Sequence, residues 1–571
     1  MIEMQVDGRT IEASDGETIL SALKRVGIHV PTLCYLEGLL PNGACRMCVV
    51  EQEGSGALLP SCSYPVAPGM RLLTRSPKVL NTRKTIVELL LSNHPDDCLY
   101  CVRSQNCELH RLAEIMGIRQ RSLRGRKKHR DPDVAGAVVR DLDKCILCGR
   151  CVRVCEEIQG VSCIDFLDRG SEAYVGTTFS QRLNVSTCVN CGQCIVVCPT
   201  GALTESSCVD EVITALADPD KFVVVQHAPA VSVSLAEEFG VPPGQNVDGK
   251  MAAALRRIGF KKVFDTSFTA DLTIMEEASE LAHRVANGGV LPMFTSCSPG
   301  WIKFVEQFYP DMIPNLSTCK SPQQMMGAII KSYFAEKEKI DPSKIVSVSI
   351  MPCTAKKFER DRPEMRTGHV PDVDYVLTTR ELGRLFKTFG IELMSFEPQP
   401  ADYPFGEHST AGKIFGTSGG VMEAALRTAH FLLTGEEMSK LDILPVRGMT
   451  GVKEIHTKIG KLEVGAAVVS GLLNARKLVD EIGTGREDLH FIEVMTCPGG
   501  CVNGGGQPFR LDPEAAKVRM QTLYKIDEAA SLRVSHKNPF VKLLYDDFLG
   551  KPLGEKSHQL LHTHYSVRDV L

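Results

Sequence analysis

The chain has 571 residues, a formal net charge of −4 and 23% charged residues. At about 150 residues per domain the length implies roughly four domains, and the near-neutral balance gives no reason to expect nucleic acid or general adhesion to an anionic membrane. No apolar run approaches the ~20 residues that cross a bilayer. The N-terminal MIEMQVDGRTIEASDGETIL has no basic n-region, h-region or twin arginine, so a cytoplasmic location is expected. The 22 cysteines set the class. In a long chain with C-x-x-C clusters they read as metal ligands, because disulfide scaffolds are typically small secreted domains.

Residues 1–78 open with MIEMQVDGRTIEA, whose alternation predicts a β-hairpin around Asp7-Gly8. Ser14-Asp15-Gly16-Glu17 then leads with a capping signal into the helical pattern TILSALKRVGI. Cys34, Cys45, Cys48 and Cys62 follow at C-x10-C-x2-C-x13-C spacing. The plant-type ferredoxin spacing has a shorter first gap. This one resembles the [2Fe–2S] domain of complex I large subunits and multi-cluster hydrogenases, which implies a plant-ferredoxin-like β-grasp fold; a zinc knuckle is the alternative. Within residues 79–126, His94, Cys98, Cys101 and Cys107 form H-x3-C-x2-C-x5-C. A neutral imidazole in place of a thiolate removes negative charge and raises a cluster's potential, and the segment resembles the histidine-ligated [4Fe–4S] domain of the same families. The basic run RQRSLRGRKKHRD, residues 119–131, is either a solvated connection or a landing surface for an acidic electron carrier.

Residues 127–209 carry a duplication. Cys145, Cys148, Cys151 and Cys155, then Cys188, Cys191, Cys194 and Cys198, each form C-x2-C-x2-C-x3-C, with Pro199 after the last. Separated pairs would suit zinc ribbons. These tight runs follow the bacterial two-cluster ferredoxin pattern, in which the fourth cysteine crosses to the other cluster. Cys145, Cys148, Cys151 and Cys198 are therefore expected to hold one [4Fe–4S], and Cys188, Cys191, Cys194 and Cys155 the other. Cys163, Cys208 and Cys319 read as ordinary small buried residues.

Across residues 210–571, apolar runs such as KFVVVQHAPAVSVSL, GGVLPMFTS, KIVSVSIMPC and GAAVVSGLL alternate with helical patterns such as KMAAALRRIG, TIMEEASELAHRVAN and VMEAALRTAHFLL. That alternation predicts an α/β region of largely parallel sheet. Cysteines stand after strand-like runs in TSCSPGW, MPCTAKKFE and VMTCPGGCVNGGGQP, and the carboxyl ends of parallel strands are where such sheets place ligands. Glycine at this density around Cys497 and Cys501 calls for backbone folded tightly against something bulky.

These three stretches, in this order behind the ferredoxin-type segments, resemble the signature motifs of [FeFe]-hydrogenases, specifically the monomeric clostridial type. The C-terminal NPFVKLLYDDFLGKPLGEKSHQLLHTHY is similar to the small subunit of two-subunit members. The resemblance implies a multidomain α/β protein, one [2Fe–2S], three accessory [4Fe–4S] clusters and an H-cluster, a cubane joined to a diiron unit carrying CO, cyanide and azadithiolate. It implies Cys353, Cys497 and Cys501 as cubane ligands with Cys501 bridging, Lys356 at a cyanide, and Met351 and Met495 as soft apolar walls. The family motif is TSCCPGW, and here Ser298 falls on the ligand position while Cys297 takes the proton relay. Serine is far harder to ionise than a thiol, so three outcomes stay open: Ser298 ligates through oxygen, Cys297 swings into the ligand role, or the position is filled from outside. The remaining path implied is Glu277, Glu280 and Ser317, with Arg284 at its outer end. Alternatively the glutamates form an acidic solvated helical face.

The expected reaction is the reversible reduction of protons to H2, with electrons from ferredoxin or a similar carrier, in an anaerobic setting and after loading by maturation proteins. A second reading is the hydrogenase subunit of an electron-bifurcating, NAD-linked complex with a flavin partner; the chain itself carries no G-x-G-x-x-G turn. A third is a low-turnover sensory or purely electron-carrying protein. A complex I-type subunit fits the first 209 residues and leaves Lys356 and the glycine run unexplained.

Overall fold

Strand Ile2–Val6 runs antiparallel to Arg9–Ala13 with Val6 opposite Arg9. The connection is Asp7 and Gly8, both at positive φ (48° and 80°), the two-residue turn whose twist matches that of paired strands. The computed structural model describes the chain except residues 127–128, 135, 460–461, 510–512 and 570–571. The hairpin belongs to a five-stranded mixed sheet with Val49–Gln52, Leu58–Pro60 and Arg71–Leu73. The following helix, Ile19–Arg25, is capped by Thr18, whose hydroxyl accepts from Ser21 N–H. The expected capping stretch instead closes on itself, Ser14 N–H bonding the Glu17 carboxylate at 2.9 Å.

The C-terminal half is built on two four-stranded sheets. In one, Lys262–Asp265, Phe222–His227, Ile345–Met351 and Tyr375–Thr378 are all parallel. Ile345–Met351 is buried along its whole length, which is why it reads as an apolar run rather than an alternation. In the other, Met293–Phe294, Phe491–Met495 and Leu462–Ser470 are parallel, and Val452–Ile459 adds an antiparallel edge. Two apolar runs are only partly strand. After His227 the chain turns into a short helix, Pro229–Ser232, so the VSVSL segment is not extended, and GGVLPMFTS contributes only Met293–Phe294.

Helix Thr266–Asn287 spans 22 residues, starting well before the predicted TIMEEASELAHRVAN pattern. Asp265 caps it and Gly288, at φ 70°, ends it. Its carboxylates Asp271, Glu276, Glu277 and Glu280 are all buried, so the solvated acidic face is excluded. Glu276 receives Leu553 N–H at 2.8 Å, the Tyr545 and Ser557 hydroxyls, and His562 Nε2 at 3.1 Å. Asp271 receives Ser409, Ser535 and Asn538. The C-terminal segment is thus fastened to this helix through satisfied buried charge. Among the described residues no helix is long and apolar enough to cross a membrane.

Candidate functional site: cysteine chambers leading to a buried cavity

In the N-terminal sheet domain the four predicted cysteines come together. The Cys34 thiol bonds those of Cys45 and Cys62, and Cys62 also bonds Cys48. Arg83, buried on helix Pro77–Ser92, braces this loop by donating to the Met47 and Val49 carbonyls at 3.1 and 2.8 Å. In the next segment Cys101 lies close enough to Cys98 and Cys107 to raise both thiols electrostatically, burial being the larger cause. His94 is buried, its Nδ1 3.0 Å from Pro95 O. The hollow beside it is lined by Pro95, Arg121, His129 and Asp143 rather than by the three cysteines. Arg121 donates to His94 O at 3.0 Å and pairs with Asp96, so part of the basic run supports this segment. Lys127 and Lys128 lie outside the described residues.

The duplication folds into two matching chambers. Cys145, Cys148, Cys151 and Cys198 line one; Cys155, Cys188, Cys191 and Cys194 line the other. In each repeat the amide two residues after the first cysteine donates to its sulfur, Leu147 N to Cys145 and Asn190 N to Cys188, both at 3.4 Å. Leu147 and Asn190 both hold positive φ (54° and 58°), a strained backbone that turns N–H groups towards sulfur. Four converging thiols with amides aimed at them fit an iron–sulfur cubane. Cys163 is buried in the core as expected, but it has a further feature. It is a fifth thiol on the second chamber wall, and no motif spacing marks it out.

The cavity in the C-terminal half opens where four strands end: Ala228–Ala230 after Phe222–His227, Cys353 after Ile345–Met351, Cys297–Gly300 after Met293–Phe294, and Cys497–Cys501 after Phe491–Met495. Met351 and Met495 line it, as do Lys356, Ser298 and Cys191. Burial raises the thiols of Cys353, Cys497 and Cys501, and Cys353 raises both partners further by proximity. Gly499 and Gly500 stand at φ 78° and 93°. Gly504 and Gly505 are required for approach instead: a Cβ would lie 2.1 Å from Pro352 O and 2.2 Å from Cys191 O. Three soft donors on glycine-lined backbone, in a cavity that reaches the second cubane chamber at Cys191, fit a thiolate-held cluster.

Lys356 Nζ donates to Cys297 O at 3.1 Å and to both Glu359 oxygens at 3.2 and 3.0 Å, so a cation stands at the cavity with its counter-ion behind it. Cys297 and Ser298 both line the cavity, with different partners. Ser298 Oγ lies 2.8 Å from Thr496 Oγ1 and accepts from Thr496 N at 3.4 Å. The Cys297 thiol is pushed up by burial and then by Glu277. Behind it Ser317 Oγ donates to Glu280 at 3.0 Å, and Glu280 pairs with the partly exposed Arg284 at 2.6 Å. Burial, then Glu280, pushes Glu277 up to about 8, with Ser317 and the Ser296 amide offsetting this in part. Cys319, also outside the sequence-level site, lies 3.9 Å from Glu280.

Residues 221–505 match the family described as iron only hydrogenase large subunit, C-terminal domain, and 513–568 match iron hydrogenase small subunit. Over 100% of both chains the protein is 50% identical to the NADP-reducing hydrogenase subunit HndD of Solidesulfovibrio fructosivorans. The chain belongs to the iron-only hydrogenase family. It is 39% identical to iron hydrogenase 1 of Clostridium pasteurianum over 98% of this chain and 99% of that one. The [FeFe]-hydrogenase HydA1 of Chlamydomonas reinhardtii superposes with TM-score 0.57 at 44% identity, covering 63% of this chain and 98% of that one. Residues 1–77 match a 2Fe-2S iron-sulfur cluster binding domain, 83–122 an NADH-ubiquinone oxidoreductase-G iron-sulfur binding region, and 136–204 an NADH-quinone oxidoreductase subunit 3 ferredoxin-like domain. This hydrogenase is therefore a multidomain iron–sulfur enzyme that interconverts H2 with protons and electrons, its ferredoxin-like domains preceding the H-cluster domain.

Proposed function

We propose that the hydrogenase reversibly reduces protons with electrons entering at residues 1–209 from a ferredoxin-type carrier. The observation that carries this reading is one cavity holding Cys353, Cys497, Cys501, Lys356 and Cys297 and reaching the second cubane chamber at Cys191. The clusters would be one [2Fe–2S] on Cys34, Cys45, Cys48 and Cys62, one [4Fe–4S] on His94, Cys98, Cys101 and Cys107, and two in the paired chambers. Units at 1–78 (β-grasp), 79–126, 127–209 and 210–571 would carry them in that order.

Cys353, Cys497 and Cys501 would hold the H-cluster cubane, Cys501 as the bridging thiolate and Ser298 at the fourth position. When bound, a diiron unit with CO, cyanide and azadithiolate would supply the H2 chemistry. The chain does the rest. Lys356 presents a point charge to an anionic group. Met351 and Met495 exclude water, which strengthens that charge's field. Glu277, mostly protonated at neutral pH, would pass its proton to the Cys297 sulfur as that sulfur gives its own to a basic group bound in the cavity, and would be reloaded through Ser317 from Glu280, with Arg284 at the surface end.

Protein loaded with the diiron cofactor should evolve H2 from dithionite-reduced viologen; no gas from fully loaded protein refutes the assignment. Membership of an NAD- or NADP-linked complex with a flavin subunit is the second reading, favoured by the relative named as an NADP-reducing hydrogenase subunit and by the two matches to NADH oxidoreductase regions. Native mass of the purified complex separates the two. Loading by maturation proteins in an anaerobic cytoplasm belongs to the same proposal. A sensory role draws on Ser298 alone and predicts tight H2 binding with very slow turnover.

A further inference from the structure

The second ferredoxin-like chamber has one thiol more than a cubane uses. Cys163 stands on its wall with Cys155, Cys188, Cys191 and Cys194. Its Sγ lies 3.6 Å from Cys155 Sγ, and Cys188 faces it from another side. The backbone is arranged for this. Cys155 sits in the π-helical turn Val154–Ile158, and the chain doubles back so that Val161 and Ser162 N–H donate to the Cys155 carbonyl at 3.0 and 3.3 Å. Ser162 holds φ 49° just before Cys163, an uncommon conformation for serine. Among the described residues the first chamber's lining holds only its four thiols; there Cys198 faces the Thr200 hydroxyl at 3.8 Å.

We propose that Cys163 donates its S–H to the Cys155 ligand sulfur and thereby raises the reduction potential of the second cubane. This rests on the reading that Cys155, Cys188, Cys191 and Cys194 hold that cubane. Sequence distinguishes donor from ligand: the paired C-x2-C-x2-C-x3-C runs already supply four thiols to this chamber, and Cys163 stands outside both runs, 3.6 Å from Cys155 Sγ. Reduction adds negative charge to the ligand sulfurs, and a proton donor directed at one stabilises the more negative state. One thiol proton serves one acceptor at a time, so Cys188 is an alternative acceptor rather than a second. Because Cys191 also lines the catalytic cavity, the tuned centre is the one nearest the H-cluster site.

The test compares Cys163→Ala and Cys163→Ser with the unaltered protein, all reconstituted with iron and sulfide but without the diiron unit. The readouts are iron per chain and EPR-monitored redox titration. Iron content is expected to stay constant. In Cys163→Ala one [4Fe–4S] should become harder to reduce by about tenfold in equilibrium constant, ~59 mV for one electron. Cys163→Ser, which keeps a donor, should shift less. Unmoved midpoints in Cys163→Ala with every cluster present overturn the proposal. So does loss of a cubane's iron in that variant, which would make Cys163 a ligand. Absence of the cubane from the unaltered protein shows in the iron count before any titration and overturns the ligand reading with it.

Discussion

Replacing Glu277 by Gln keeps its shape and removes its ability to shuttle a proton. The side chain is 1% exposed, and its carboxyl keeps its proton to about 8 where the ordinary value is 4.5. At ~1.36 kcal/mol per pH unit that gap amounts to ~5 kcal/mol against the ionised form, to order of magnitude. At pH 7 the acid therefore predominates about tenfold, and the carboxyl holds its proton. Loss of one positioned acid–base group should lower H2 evolution from reduced viologen by about 100- to 10,000-fold. In the unaltered enzyme, evolution should decline as pH rises above about 8. The same shift governs stability. Unfolded, the carboxyl ionises at its ordinary value; folded, it holds the proton longer, so its contribution is full below pH 4.5, falls between 4.5 and about 8, and is gone above. Glu277→Gln should flatten that part of the dependence of Tm on pH. A variant with full H2 output and intact infrared bands of CO and cyanide would falsify the assignment of Glu277 as a relay.

Ser298→Cys puts a thiol where a hydroxyl now leans on Thr496. Iron in the C-terminal half should then resist chelators longer, and unchanged iron loss on chelator challenge would sink the ligand-position reading. Gly505→Ala drives a Cβ to 2.2 Å from Cys191 O and 2.8 Å from Gly192 Cα. Since neither neighbour is a flexible side-chain end, about 1–3 kcal/mol of stability should be lost, together with slower electron arrival at the catalytic site, read by stopped-flow reduction. Glu276→Ala strands His562, Tyr545, Ser557 and Leu553 N–H at once. A cost of about 3–5 kcal/mol is expected, with proteolysis beginning in the C-terminal segment; cleavage starting elsewhere would show that the anchor lies elsewhere.

Local spacing made the iron–sulfur segments legible. Cys34, Cys45 and Cys48 meet Cys62 because strand Leu58–Pro60 pairs back on Val49–Gln52 and returns Cys62 beside Cys48, and the duplicated runs place Cys198 and Cys155 on opposite chambers. Long-range packing was not legible. Three glutamates in TIMEEASELAHRVAN read equally as a wet face, and only the C-terminal segment and the loop at Ser317 and Thr318, brought over from outside the helix, bury Glu276 and Glu280. The glycine run was read correctly as demanding tight backbone, yet Gly505 needs it because of Cys191, more than 300 residues earlier in the chain. His94 was placed by motif register, and the structure buries it beside a hollow lined by Pro95, Arg121, His129 and Asp143.

The seam at Gly192 and Gly505 joins main chain to main chain, with Thr354 wedged against it. Side chains flex and rotate, but apposed peptide backbones of two packed cores move little. The closing stage of the electron's journey is thus insulated from whatever happens farther out. Were the first hundred residues to shift, the spacing across Gly192 and Gly505 would stay fixed by this backbone contact.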